Sequence, residues 1–373
     1  MDTSDPGITF DAQGVCNHCR RYDRMVRDHV HSGNDGRQRL GVIVDRIKRE
    51  GSGKAHDCMI GVSGGVDSTF VAWQVRELGL RPLAVHLDNG WDTEIAVSNI
   101  STALQRLNID LHTEVLDWEE FRDIQLAFLR ASVPDAEVPS DHAIFACLYR
   151  TATQFGVRHV ITGLNIRTET HLPSAWSRGH FDFGYIKSVQ ARFGSRPIRT
   201  FPHYSFIEYV TGFARTHETL NVLDYVDYSK SAALVRLQAE LGWRDYGGKH
   251  CESVYTRWYQ GVYLPRKFGY DKRRSHLSSR ICSGEVTRQQ ALADIERPPY
   301  DAVLQEEDCN YVAKKLGISR GELDRLIAEP ARRFEEFDSY EKRASSAWFS
   351  LLRRGYNVAR SVVRPPQAAP VIG

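Results

Sequence analysis

Two adjacent glycines stand between a run of strand-forming residues and an amphipathic helical pattern, in the segment CMIGVSGGVDSTFVAWQV at 58–75. Gly64 and Gly65 weaken either element, because glycine costs roughly 0.5–1 kcal/mol relative to alanine inside a helix or a strand. A bare turn would not need the serines and the aspartate that flank them. The junction therefore predicts that another group approaches this backbone closely.

Short apolar runs alternate with helical patterns around this junction. Buried strands are predicted at 58–62, 83–88, 112–117 and 159–163. Helices are predicted at 37–50, 67–79, 93–107, 118–131 and 141–155. Such alternation is typical of an α/β fold with a doubly wound parallel sheet, in which ligands bind at the carboxyl ends of the strands.

The rest of the chain differs in composition from this α/β part. Strand patterns fade after about residue 203, and a mostly helical region follows. The predicted parts are an N-terminal segment with a Cys-x-x-Cys pair at 1–40, an α/β domain at 41–230, a helical region at 231–330 and a basic amphipathic tail at 331–373. A chain of 373 residues is long enough for this arrangement.

Charge and composition exclude several classes of protein. A net charge of +2, from 49 basic and 47 acidic residues, gives no bias toward polyanions such as nucleic acid. The acidic start MDTSDPGITF is no signal peptide, and no apolar run reaches the ~18 residues of a membrane span. Seven cysteines without a secretion signal indicate reduced thiols or metal ligands. We expect a cytoplasmic protein.

The residues from Ser63 to Ser68 can hold phosphate groups. The first amides of a helix have no intrahelical partner and lie at the positive end of its dipole, and glycines let phosphates reach them. Ser63 and Ser68 add hydroxyl donors, and Asp67 can hold a divalent metal ion. The alternative is a glycine turn in which Asp67 or Ser68 caps the helix.

This string, Ser-Gly-Gly-Val-Asp-Ser, resembles in full the pyrophosphate loop of the ATP pyrophosphatase (PP-loop, adenine nucleotide alpha hydrolase-like) superfamily. No Gly-Lys-Ser/Thr follows, so it is not a Walker A loop. The resemblance implies that ATP, with Mg²⁺, is cleaved between its α and β phosphates. It also implies nucleotide contacts at the later strand ends, at Asp88 and Gly163, where ordinary turn chemistry is the alternative.

Three longer segments are similar to the N-acetyl sugar amidotransferases: 5–19, 161–169 and YLPRKFGYDKRRSHLS at 263–278. The similarity extends over about 5–330. It implies that an N-acetyl group on a nucleotide-linked sugar becomes an acetamidino group, for lipopolysaccharide-type surface sugars such as O-antigen. The helical region would then bind the substrate.

Three adjacent cations lie in the last of these segments. Lys272 is a candidate catalytic residue, and Arg273 and Arg274 are candidates for binding the phosphates of the nucleotide sugar. The alternative is a solvated basic helix end.

Polar residues at the same predicted sheet edge complete the candidate site. Asp141 and His142 open a helix, where they could move a proton during attack by ammonia, or serve as a cap and a core residue. Asn165 and Glu169 follow a strand and could bind sugar hydroxyls or the acetamido nitrogen, or lie in a surface loop.

Cys16 and Cys19 have the spacing of zinc ligands, but tetrahedral zinc needs four. The family usually carries a second Cys-x-x-Cys pair before 5–19, and this chain has none there. Residues that could complete a site are His18, His250, Cys251 and Cys282, of which we predict the two cysteines. A half-site without metal is the alternative. Buried packing is predicted for Cys58, Cys147 and Cys309.

The segment 342–364 holds six basic and no acidic residues, with aromatic residues at helical spacing. We expect it to dock on its own domain or on a partner rather than on an anionic membrane.

The main hypothesis is an ATP-dependent N-acetyl sugar amidotransferase. A PP-loop enzyme that thiolates tRNA and a subunit that only senses ATP are the alternatives. Glutamine hydrolysis needs an activated thiolate, and none is visible: Asp2 follows Met1, and Cys147 lies in a helix-like run. We therefore expect a separate glutaminase subunit to supply ammonia, as the family resemblance also implies. A cyclase-like subunit is a further candidate partner.

Overall fold

The computed structural model describes residues 1–211, 217–248 and 251–345. Five strands of this part of the chain form one sheet, in which every pairing is parallel. The strands are β1 Cys58–Gly61, β2 Pro82–Asp88, β3 Asp110–Val115, β4 His159–Thr162 and β5 Glu218–Asn221. Their order is β3-β2-β1-β4-β5, so the direction of winding reverses between β1 and β4.

Helices make up most of the remaining described chain. They are α1 Asn17–His29, α2 Gly33–Glu50, α3 Val66–Glu77, α4 Glu94–Leu107, α5 Trp118–Ala131, α6 Val138–Gln154, α7 Ile166–Glu169, α8 Phe183–Phe193, α9 Phe206–Thr211, α10 Lys230–Leu241, α11 Val254–Trp258, α12 Leu264–Phe268, α13 Lys272–Cys282, α14 Arg288–Glu296, α15 Ala302–Leu316, α16 Arg320–Ala328 and α17 Tyr340–Ser345. A π-helical turn, Tyr259–Tyr263, joins α11 to α12.

Helices cover both faces of the sheet because β1 is apolar on both sides. Ile60 packs with Leu40 of α2 and Val75 of α3 on one face. Met59 packs on the other face with Leu148 of α6. All five of these side chains are buried, and the two from β1 lie on opposite faces because successive residues of a strand point to opposite sides. The predicted doubly wound α/β fold is confirmed.

One strand prediction needs correction, and one strand was not predicted. The segment 112–117 was predicted to be a buried strand, but β3 is an edge strand, with Leu111 43% and Val115 66% exposed. Its apolar residues resemble those of a core strand, and only the strand order makes them exposed. The short β5 was not predicted, because Leu220 is its one strongly apolar residue.

The C-terminal region is helical, as predicted. Its side chains form a large core together with α5 and α8, in which Trp258, Tyr259 and Tyr263 are fully buried. The helix α10, which the boundary at 231 assigns to this region, packs instead against α3 on the sheet. Most of the predicted tail, 346–373, lies outside the described residues, and so does most of the segment 342–364.

Three separate pieces of chain meet at the carboxyl side of the sheet. The helix α6 leads directly into the start of β4, so its first turn lies on the opposite, carboxyl side. The short α7 follows the end of β4, and α13 packs against it. The N-terminal helix α1 packs on both α7 and α13. Among the described residues, no helix is long and apolar enough to cross a membrane.

Candidate active site

The loop Ser63–Ser68 lies where the winding of the sheet reverses, between the end of β1 and the start of α3. Its two serines approach each other, with 3.2 Å between their hydroxyl oxygens, and the Ser63 amide donates to Ser68 Oγ at 3.2 Å. Gly65 is the N-cap of α3, and no side chain caps this end. The first amides of α3 are therefore available to an anion at the crevice where sheets of this kind bind ligands.

The glycines of the loop are explained by packing inside the protein as well as by access for a ligand. Gly64 has φ +77°, and a β-carbon there would lie 2.5 Å from the carbonyl oxygen of Ala96 in α4. The Trp243 indole N–H also donates to the Gly64 carbonyl at 2.9 Å. A β-carbon at Gly163 would lie 3.3 Å from the carbonyl carbon of Asp67, so the end of β4 packs closely against the start of α3. A nucleotide contact at Gly163 stays a prediction.

Asp67 faces a small group of tyrosines at the mouth of the loop. The buried Tyr228 hydroxyl donates a short hydrogen bond to Asp67 Oδ1. Burial, together with the negative charge of Asp67, raises the pKa of Tyr228. Burial and the carboxylates of Glu252 and Asp67 likewise raise the pKa of Tyr246. Both tyrosines therefore stay neutral, and Tyr228 donates to Asp67 while Tyr246 is hydrogen-bonded to Glu252. Carboxylate oxygens such as those of Asp67 can bind Mg²⁺ together with phosphate oxygens.

The other residues predicted to bind the nucleotide or the sugar lie at nearby strand ends. Asp88 ends β2, and its side chain accepts a hydrogen bond from the Gly90 amide at 2.8 Å, as expected for a residue that stabilises a turn. A contact between Asp88 and adenine stays a prediction. Asn165 caps α7, accepting from the Thr168 amide at 3.0 Å. Its side-chain nitrogen is buried with no partner among the described residues, so a donor remains for a ligand. Glu169 ends α7, close enough to influence Tyr228.

A buried cluster of charges lies at the start of α6, and it contains the predicted Asp141 and Lys272. His180 joins two carboxylates, with Nε2 3.2 Å from Asp135 Oδ2 and Nδ1 2.8 Å from Asp141 Oδ2. Lys272 Nζ lies 3.3 Å from Glu137 Oε2. The cluster thus contains three carboxyl groups and two cationic side chains, and burial raises the pKa of Glu137. Nothing in the sequence pattern pointed to Asp135, Glu137 or His180.

The protonation of this cluster is set by its own charges. Burial alone would lower the pKa of His180, but hydrogen bonds and charges from Asp135 and Asp141 outweigh it and raise the pKa to about 10. Burial would raise the pKa of Asp135, yet His180 and Lys272 bring it down to about 2. Burial disfavours charge on Lys272 too, and the carboxylates around it more than offset this and raise its pKa.

His142 has a different position from the one predicted for a proton carrier. It is fully buried in an aromatic group with Phe183 and Phe201. Its Nε2 accepts from the Tyr204 amide at 3.3 Å, so Nδ1 carries the proton and donates to the His180 carbonyl at 2.8 Å. Burial lowers the pKa of His142 to about 3. These contacts give it the packing role, and they bring its backbone neighbour Asp141 to His180.

The two predicted arginines are held by the protein itself. Arg273 pairs with Asp271 at 2.6 Å and donates to the Arg297 carbonyl at 2.9 Å. Arg274 pairs with Asp2 of the N-terminal segment. Phosphate binding by either arginine stays a prediction and would require it to exchange one of these partners.

The structure gathers three of the four predicted metal ligands. Cys16, Cys19 and Cys282 come together, and the fourth neighbour is His171, which sequence reasoning missed. Cys251 lies beside Gly248 in the segment that leads into α11. His18 is bonded to Asp5 at 2.6 Å, and His250 lies outside the described residues. The predicted burial of Cys58, Cys147 and Cys309 is confirmed.

The fold and the loop define a doubly wound α/β protein with a glycine-containing loop and an uncapped helix N-terminus at the reversal of its sheet. Residues 252–352 match the family model described as "LPS biosynthesis protein WbpG-like, C-terminal domain". This match confirms, for the C-terminal region, the resemblance to a lipopolysaccharide biosynthesis family.

Comparison with solved structures finds NMN synthetase from Francisella tularensis, with a TM-score of 0.33 and 13% identity over 74% of this chain and 93% of that one. It also finds the NH3-dependent NAD synthetase from Campylobacter jejuni subsp. jejuni NCTC 11168 in complex with the nitrate ion, with a TM-score of 0.28 and 14% identity over 55% and 93%. Similarity of this size carries no conclusion about activity. A search of curated proteins finds no match.

The packing of the loop predicts opposite effects for two glycine substitutions. Gly64→Ala places a β-carbon against Ala96 and strains a positive φ, so the free energy of unfolding should fall by about 2–4 kcal/mol. Gly41→Ala, in α2 with open space around it, should raise the free energy by roughly 0.5–1 kcal/mol. Urea unfolding followed by circular dichroism measures both. Equal effects of the two substitutions would contradict the described loop.

The buried cluster predicts a pH-dependent contribution to stability. Because the pKa of His180 is raised to about 10 from 6.5, its stabilisation is complete below pH 6.5 and is lost as pH rises toward 10. His180→Gln should therefore cost about 3 kcal/mol near neutrality and progressively less at alkaline pH. Urea unfolding across this range is the measurement. His56→Gln is the control, since its partner Asp110 is 80% exposed; a His180→Gln cost that grows with pH would refute the assignment.

Proposed function

We propose that the protein is an ATP-dependent amidotransferase that converts the N-acetyl group of a nucleotide-linked sugar into an acetamidino group. One observation carries the proposal. The Ser63–Ser68 loop lies at the reversal of the sheet, and the region matching a lipopolysaccharide biosynthesis domain, 252–352, borders that loop through Glu252 and supplies Lys272 to the buried cluster. A loop suited to holding ATP phosphates and a region that matches a lipopolysaccharide biosynthesis domain thus meet at one sheet edge.

The proposed reaction has two steps. In the first, the amide oxygen of the N-acetyl group attacks the α-phosphorus of ATP, the bond to pyrophosphate breaks, and an O-adenylyl imidate forms. In the second, ammonia adds to the imidate carbon and AMP leaves with the former amide oxygen. Nitrogen thereby replaces oxygen, and the products are AMP, pyrophosphate and the acetamidino sugar. Adenylylation is needed because an amide carbonyl alone is a poor electrophile.

The residues of the loop suit the first step. The uncapped amides of α3, with Ser63 and Ser68, would hold the leaving pyrophosphate, where fixed donors stabilise developing charge without reorganising. Asp67 would hold the Mg²⁺ ion, which neutralises phosphate charge when bound. Tyr228 fixes the direction of the Asp67 carboxylate. Asp88 and Gly163 would line the adenosine part of the pocket.

The buried cluster suits the second step. Ammonium and an acetamidinium product are both cationic, and the cluster carries one more carboxylate than cations. Asp141 is its most exposed carboxylate, at 39% of its side-chain surface, and would accept the proton released on addition of ammonia. His180 and Lys272 hold the carboxylates in place. Asn165, whose amide nitrogen lacks a partner in the described chain, and Glu169 would contact the acetamido sugar.

The near-neutral charge of the chain and the match to a surface-sugar family favour a nucleotide sugar over tRNA as the acceptor. We further propose that a separate glutaminase supplies the ammonia. The interior cysteines support this: burial raises the pKa of the Cys147 thiol to about 11, which is unsuited to a nucleophilic thiolate.

Substitution of Asp67 tests the proposed role of the loop. Asp67→Asn should lower acceptor-dependent pyrophosphate release at least ~10²-fold, because a charge-organising group at the reacting phosphate is lost. Asp45→Asn, on the exposed face of α2, should have no effect. Purified chain is assayed with ATP, ammonium and a panel of acetamido nucleotide sugars, with product detected by mass spectrometry.

The same assay tests the nitrogen source, since glutamine in place of ammonium should give no product with this chain alone. Acceptor-independent hydrolysis of ATP to ADP would contradict the reaction. Glutamine turnover by the pure chain at the rate of product formation would contradict the separate glutaminase.

A further inference from the structure

Four metal-binding side chains from three distant segments converge beside α13. Cys16 and Cys19 come from the N-terminal segment, His171 follows α7, and Cys282 ends α13. The donor atoms of Cys19, His171 and Cys282 all lie within 4.8 Å of one another. The Cys16 sulfur lies 3.5 Å from that of Cys19, and the Cys282 sulfur lies 3.8 Å from His171 Nε2.

We propose that Cys16, Cys19, His171 and Cys282 bind one zinc ion in a closed, tetrahedral structural site. Zinc binds sulfur at about 2.3 Å and imidazole nitrogen at about 2.0 Å, which gives tetrahedral edges of roughly 3.5–3.8 Å between ligand atoms. The Cys16–Cys19 distance of 3.5 Å and the Cys282–His171 distance of 3.8 Å fall in this range. Three thiolates and one imidazole are a common donor set for structural zinc.

The surroundings of the group fit a metal better than a set of packed thiols. Ser279 Oγ donates to the Ser275 carbonyl, so it must accept from Nδ1–H of His171, at 2.9 Å. This contact fixes the tautomer and leaves the Nε2 lone pair directed at Cys282, the arrangement in which second-shell partners orient metal-bound histidines. The Cys19 amide also donates to Cys16 Sγ at 3.4 Å, which orders the cysteine turn.

The site would join parts of the proposed catalytic region that are far apart in sequence. Cys16 and Cys19 anchor the N-terminal segment, His171 lies directly after α7 with Glu169, and Cys282 is on the same helix as Lys272. Binding of one ion would fix α7 and α13 relative to each other at the carboxyl side of the sheet. Because all four positions are taken by protein, the ion would have no open position for a substrate and would act through structure.

The four ligands differ from the set that sequence spacing indicates. Cys251, which sequence reasoning included, lies next to Gly248 and has the carboxylates of Glu252 and Asp308 and the cation of Arg257 around it. It is half-buried like Cys19, and therefore makes a matched control for substitution of a ligand.

Metal content of the full-length protein tests the proposal. Plasma emission analysis should find about one zinc per chain in the wild type and in Cys251→Ser, and less than ~0.2 in Cys19→Ser, Cys282→Ser and His171→Ala. Refolding with cobalt(II) should give thiolate charge-transfer absorption in the wild type and in Cys251→Ser. Chelation should lower the melting temperature of the wild type and of Cys251→Ser alike.

Zinc loss in Cys251→Ser with retention in Cys282→Ser would overturn the ligand set. Wild-type protein free of metal, with cobalt(II) giving no thiolate absorption, would overturn the site itself. If a ligand variant fails to fold, titration of the wild type with a thiol-blocking mercurial decides: zinc should be released as three thiols react. None of these readouts depends on the proposed amidotransferase activity.

Discussion

The uncapped first turn of α3 is the feature on which the arrangement of the molecule depends. Parallel strands place their carboxyl ends at one edge, and the sheet reverses its winding between β1 and β4, so a crevice opens where α3 begins. Gly64 lets the loop pass against α4, and Gly163 lets the end of β4 approach it. Close packing of backbone, which requires glycine at position 64, thus presents a helix N-terminus to the crevice.

The chain connections bring the buried charge cluster to the same carboxyl side of the sheet as the loop. The start of α6 lies there because α6 returns to the beginning of β4, and α13 lies there because it packs on α7. Together they enclose Lys272 with three carboxylates and His180. Charges buried in this way are costly unless paired, so the paired groups hold one another in place.

Local pattern was sufficient for the elements that carry strong signals. The central strands have continuous apolar runs, and the Ser63–Ser68 loop has a complete motif, so both could be predicted. Strand order could not, because Leu111 on an edge strand looks like a core residue until the sheet is assembled. His171 and His180 were missed for a similar reason. Their partners are distant in sequence, and neither stands in a recognisable spacing.

The central claim is that the amide oxygen of the acceptor becomes adenylylated. It is tested most directly with an acetamido nucleotide sugar that carries oxygen-18 in its N-acetyl carbonyl, incubated with the protein, ATP and ammonium. The account predicts that the label appears in AMP, since the bond from that oxygen to carbon breaks when ammonia displaces it. Label found in inorganic phosphate or pyrophosphate, or AMP formed without label, would contradict it.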